Sequence, residues 1–235
     1  MLLVKLYHGT TERIGRLALK EGLRPRKLTG KSNWKNFVES HPSLVYLTKA
    51  YAPYYALQVV RGKKLAIVEI ETNSLDVFKM RPDEDFIEQV TRQDKQNKTA
   101  IEGKTISERT EYVRNHLDEF SGFWRTSVEH LGNCAYEGVV PKTAITRVAV
   151  VDISKCQAMC AEALEPIISI MNYRICGPQL RMLTQWFMGE TVTVEEWFKT
   201  QSVNPLNYLS EKEKVSAVRK FSKILANQEG IQVIL

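Results

Sequence analysis

The chain has 235 residues, 43% of them hydrophobic and 26% charged, which is the balance of an ordinary globular protein long enough to bury a core. No apolar run reaches the ~18–20 residues of a membrane span, and Lys5 interrupts the opening apolar residues too early for a signal peptide. Four cysteines (Cys134, Cys156, Cys160 and Cys176) without paired spacing lead us to expect a cytoplasmic protein with reduced thiols, no metal and no membrane association.

The net charge of +6 is unevenly distributed. Residues 1–64 carry 13 Lys and Arg against 3 Asp and Glu, whereas the remainder carries 20 against 24. Such a concentration suits a polyanionic partner, and equally a lysine-rich solvated surface.

Residues 2–6 read as a strand running into Leu6-Tyr7-His8-Gly9-Thr10. A histidine before a glycine offers a directional hydrogen bond beside an unobstructed backbone, although a strand-end His-Gly pair is also ordinary turn chemistry. Thr10 or Thr11 caps a helix to about Glu21, with Ile14, Leu17 and Ala18 on one face and Gly22 as its stop. A basic loop follows over residues 23–43, with Trp34 and Phe37 among its lysines and arginines; such aromatics stack on bases or pin a loop to the core. A short strand is expected over 45–48, a helix with Pro53 in its first turn over 50–60, and a clear strand over 65–71, the sheet continuing through 75–78.

Residues 81–85 form an acidic turn, and 89–104 is polar enough to read as an insertion or mobile loop. A helix is expected over 107–120, then a compact patch at 124–127 leading into residues 133–141, and another strong strand over 145–153. Beyond Ser154 the pattern is helical and amphipathic, with capping boxes at Thr193/Glu196 and Ser210/Glu213. The expected architecture is an α+β core over 1–154 with a helical C-terminal extension over 155–235.

Four pieces stand in order: YHGT at 7–10, VYLT at 45–48, the Ala- and Tyr-rich helix from Ala50 to Ala56, and YEGVVP at 136–141 with a proline four residues after its glutamate. Together they resemble the ADP-ribosyltransferase superfamily in its His-Tyr-Glu branch, over about 1–153. The resemblance implies a split β-sheet, NAD as co-substrate and no metal. Glu137 would be the catalytic carboxylate. His8 would hydrogen-bond the adenosine ribose or nicotinamide region, the Gly9 backbone would hold the carboxamide, and Thr10 and Thr48 would stand beside them. Tyr46 would stack on the nicotinamide, with Tyr54 or Tyr55 on its other face. Breaking the nicotinamide–ribose bond builds positive charge on the ribose; a fixed carboxylate stabilises it and orients or deprotonates the nucleophile.

Relatives that modify arginine often carry Glu or Gln two residues before the catalytic glutamate, where this chain has Ala135. With the basic first quarter, this points to an RNA or DNA base as acceptor, read by Trp34, Arg125, Asn133 and Tyr136. The resemblance further implies a toxin of a toxin–antitoxin or phage-defence system, with an antitoxin or chaperone as partner. Alternatives are a protein-directed ADP-ribosyltransferase, an RNA 2′-phosphotransferase, whose Arg…His-Val-His strand is not visible here, and a non-enzymatic nucleic-acid-binding module.

Overall fold

Strands β1 (Lys5–Thr11) and β3 (Lys64–Glu71) are buried along nearly their whole length, because helices cover both faces of the sheet they share. The computed structural model describes residues 5–25, 38–156, 173–199 and 210–235. The remaining strands are β2 (Leu44–Thr48), β4 (Met80–Pro82), β5 (Asn133–Glu137), β6 (Ile145–Asp152) and β7 (Ile231–Ile234). They form one antiparallel sheet in the order β4-β5-β2-β1-β3-β6-β7, so the fold is α+β.

Strand alternation sends Leu6, Val45, Leu47, Val68 and Val148 to one face. There they pack with Ala18 of helix α1 (Glu12–Glu21) and with Trp124 and Val128 of helix α5 (Trp124–Leu131). Tyr7, Ile67 and Ala149 point the other way, under Ala52 and Ala56 of helix α2 (Ala52–Val59) and Trp186 and Phe187 of the helix Tyr173–Phe187. Towards β5, that second face is covered by helices α3 (Glu84–Gln93) and α4 (Ile106–His116), whose Ile87 and Val113 meet Leu44 and Ala135.

Local chemistry sets several boundaries. The Thr11 hydroxyl caps α1 by accepting from the Ile14 N–H, and Gly22 ends it at φ 81°. A Cβ at Gly22 would lie 2.2 Å from the Val140 carbonyl oxygen, because the chain there forms the Leu23–Val140 bridge. Gly9 is needed for packing as well: α2 crosses β1 so closely that a Cβ would sit 2.0 Å from the Ala52 carbonyl oxygen.

The structure departs from the sequence expectations in three places. The segment 89–104, expected as an insertion or mobile loop, starts within α3, which Phe86 and Ile87 anchor and Asp83 caps, and continues from Asp94 through turns and a 3₁₀ turn at Lys98–Ala100. Residues 75–78 do not extend the sheet; 3₁₀ turns at Thr72–Ser74 and Val77–Lys79 leave Phe78 85% exposed. The C-terminal region is not helical throughout, since β7 pairs with β6, and the Trp186 indole N–H donates to the Leu225 carbonyl at 2.8 Å. Both expected capping boxes are present, and no helix among the described residues is long and apolar enough to cross a membrane.

Between β3 and β6, Arg147 donates to both carboxylate oxygens of Glu69, each at 2.8 Å, and to the Met188 carbonyl. Burial alone would raise the Glu69 carboxyl, but the bonds from Arg147 and Thr146 and the charges of Arg147 and Lys5 outweigh it and hold the group below its ordinary value. A depressed carboxyl contributes stability that is present above the unfolded value of 4.5 and is lost as pH falls through the folded value. We therefore predict that Glu69→Gln melts earlier than wild type at neutral pH, and that the gap narrows below pH 4.5 in thermal unfolding followed across that range. Gly9→Ala should cost about 3 kcal/mol in urea unfolding; an unchanged midpoint would contradict the close α2–β1 approach.

Candidate active site at the β1–β2 junction

β1 matches β3 residue for residue from Lys5–Glu71 to Thr11–Leu65, but its pairing with β2 consists of one position, Tyr7 opposite Thr48. Beyond that pair the ladder stops, and the His8 side chain takes over. Its Nδ1 lies 2.8 Å from the Tyr46 carbonyl oxygen. A carbonyl only accepts, so Nδ1 carries the proton and Nε2 keeps its lone pair. Burial lowers the His8 pKa below 6.5, partly offset by the bond to Tyr46. The junction thus holds a neutral imidazole of fixed tautomer, able to accept a hydrogen bond from a ligand hydroxyl through Nε2.

Around it, several residues expected to meet a ligand also hold the fold together. Thr48 is 1% exposed; its hydroxyl donates to the Gly132 carbonyl and accepts from the Ala50 and Tyr51 N–H groups, shaping the turn into α2. The Tyr46 hydroxyl donates to Glu84 and accepts from the His41 N–H, while its ring packs against the α3–α4 cluster. Thr10 is buried. Tyr54 and Tyr55 stand 5.6 Å apart as tilted rings, and the Tyr55 hydroxyl accepts from the Asn133 Nδ2 at 2.8 Å.

That last contact leads to the head of β5. Thr48 pairs with Asn133, and Pro82 of β4 pairs with Cys134. Asp83, still extended at φ −68° and ψ 144°, therefore continues the row beside Asn133. Tyr7, Thr48, Asn133 and Asp83 form one row across four strands on the same face. Ser127 locks its end, accepting from the Asp83 N–H at 3.0 Å and donating to the Asn133 carbonyl at 2.8 Å. The Asn133 Oδ1 is buried without a hydrogen-bond partner among the described residues. Burial, then the charges of Asp85 and Glu84, push the Asp83 carboxyl well above its ordinary value. Burial and next the Asp83 charge likewise raise the Tyr55 hydroxyl. The row thus ends in a carboxyl, an amide oxygen and a phenol held close together.

Glu137 lies elsewhere. It occupies the far end of β5, about 13 Å along the strand from Asn133 at ~3.3–3.4 Å per residue. Its half-exposed carboxylate accepts from Arg81 at 2.6 Å, and Arg81 also meets Asp118. Tyr136 points into the core at 3% exposure, so it is not available to read an acceptor. Arg125 is exposed, its guanidinium 4.9 Å from the Trp124 ring centroid. Trp34 lies outside the described residues, as do Arg26, Lys27, Lys31 and Lys35 of the basic loop. Elsewhere in the first quarter, Lys5, Arg16, Arg24 and Lys64 face carboxylates.

Two cavities, of about 420 and 190 Å³, open along α4, and neither is lined by His8, Gly9 or Tyr46. No group of metal-ligating side chains occurs among the described residues. No family model, curated protein or solved structure matches the chain. The sequence places Ser127 in the compact patch at 124–127 and Asp83 in an acidic turn, without bringing either to the head of β5. The available signal was the position of Asp83 after Pro82 and ahead of an apolar Phe86-Ile87 pair, which marks a helix N-cap.

The electrostatics of His8 can be checked directly. In ¹⁵N-resolved NMR its ring should show the Nδ1–H tautomer and titrate below 6.5, so that it stays mainly neutral where a free imidazole is half protonated. An Nε2–H tautomer would contradict the bond to Tyr46.

Proposed function

We propose that the chain is an NAD-dependent ADP-ribosyltransferase with a nucleic-acid acceptor, its chemistry seated at the β1–β2 junction. The observation that carries this reading is the neutral His8 bridging a sheet joined there by one ladder pair. It supports a split sheet in which Nε2 is available to a ribose hydroxyl. The row that begins at Tyr7 leaves β1 on the face opposite His8; near it stand the rings of Tyr54 and Tyr55 and the carboxyl of Asp83, which in this proposal meet NAD across the open end of the β1–β2 ladder. In this proposal Asp83, rather than Glu137, stabilises the positive charge that develops on the ribose as nicotinamide departs. Burial and the neighbouring carboxylates favour its protonated form in the free protein, and the positive charge developing on the ribose would favour its ionised form. Asn133 and Ser127 position it. The concentration of positive charge in residues 1–64 supports RNA or DNA as acceptor, with a toxin role and a neutralising protein partner as the wider proposal.

The test is nicotinamide release from NAD in the presence of RNA, DNA or protein. Asp83→Asn should lower the rate about 100-fold or more, with KM for NAD little changed, while Glu137→Gln stays active. The opposite pattern would return the catalytic role to Glu137. No turnover with any acceptor would overturn the transferase reading, and label reaching only protein would overturn the nucleic-acid part.

A further inference from the structure

The helix Glu211–Ala226 stands out against the charge of its surroundings. Residues 65–210 carry 15 Lys and Arg against 21 Asp and Glu, yet residues 211–226 carry 5 against 2. At 3.6 residues per turn, Lys212, Ser216, Arg219 and Lys223 line up along one stripe with Lys220 at its flank. All five are exposed. Among the described residues none of the four basic side chains has a carboxylate within ion-pair distance; the neighbouring Lys214, by contrast, is paired with Glu211. The stripe spans about 16 Å from Lys212 to Lys223 at 1.5 Å per residue.

Among the described side chains, those of the last turn face inward and anchor the helix. Ile224 and Leu225 pack into the cluster beneath the sheet, and the Leu225 carbonyl accepts from the Trp186 indole. The capping box of Ser210 and Glu213 secures the first turn. The basic residues are therefore carried on a helix anchored by its last turn.

We infer that this stripe is a docking surface for the phosphate backbone of a nucleic acid. Charge complementarity argues for that occupant: unpaired cations in a row match a ligand with one charge per ~1.7 Å of duplex axis. A membrane surface fits less well, because a helix lying in a bilayer interface needs a broad outward apolar face, and here Ile224 and Leu225 pack on the protein, leaving Val215 and Val218 as the exposed apolar side chains among the described residues of the helix. The inference extends the nucleic-acid part of the reading above and does not depend on NAD cleavage, so binding is measured without NAD.

The experiment is fluorescence anisotropy of a labelled single-stranded RNA and a DNA of the same sequence, titrated with the full chain over a salt series. Reversing the stripe (Lys212→Glu, Arg219→Glu and Lys223→Glu together) should weaken binding about 10-fold or more and lower the slope of log K against log salt by about 2, from ~0.7 per lost phosphate contact. The same three positions changed to Gln should lower the slope equally while leaving the melting temperature unchanged. A control triple of exposed lysines elsewhere, Lys79→Glu, Lys95→Glu and Lys142→Glu, should bind like wild type. Equal losses in both triples, or no loss in the stripe variants, would overturn the inference. So would stripe-dependent binding to phosphatidylserine vesicles without binding to either nucleic acid. Failure of nicotinamide release with these results intact would fall on the transferase reading alone.

Discussion

The sheet is continuous across its middle through one backbone pair, Tyr7 with Thr48, and one imidazole, that of His8 on the Tyr46 carbonyl. The fold on either side can be satisfied within itself: β1, β3, β6 and β7 pair along their lengths, as do β4, β5 and β2. Where the two groups meet, a buried carbonyl needs a donor, and His8 supplies it from a side chain. That bond fixes the tautomer of His8, while burial, acting against the bond, keeps the ring neutral. A single hydrogen bond sets both the junction and the tautomer of His8, since the nitrogen that holds β2 leaves the lone pair on the other.

Much of this framework can be read from residue order. Leu65 to Glu71 and Ile145 to Asp152 are apolar enough to sit between two helix layers, and both are long central strands. The helix after β2 is set by Pro53 and by Tyr and Ala at helical spacing. What was not legible depended on distant partners. Helix α3 has few apolar residues, and its stability comes from Phe86 and Ile87 reaching the cluster under β2 and β5. The four residues Ile231–Ile234 give no local sign that they pair with β6.

At the candidate site, His8 was legible and the part of β5 that lies level with it was not, for a geometric reason. Which end of β5 lies level with His8 depends on strand direction and register, and no short motif contains either. The register puts Asn133, not Glu137, opposite Thr48. The acidic run that looks like one turn is separated by the fold into different tasks. Asp83 caps α3 and faces Asn133, Glu84 is buried on the Tyr46 hydroxyl, and Asp85 remains exposed. Burial raises the Asp83 and Glu84 carboxyls, and the three charges are interdependent: ionising one discourages the next.

The strand Ile231–Ile234 also affects how the molecule is assembled. β6 finds β3 much earlier in the chain than it finds its other neighbour, and Val148 pairs with Ile234 across a long intervening stretch. Until that stretch closes, the apolar run of β6 from Val148 to Val151 has one open edge, able to join a second chain as readily as its own. Closing it is a non-local step of the kind that slows folding. Ordered synthesis therefore leaves this edge as the last part of the sheet to be protected, and the β7 strand works as a built-in guard against aggregation.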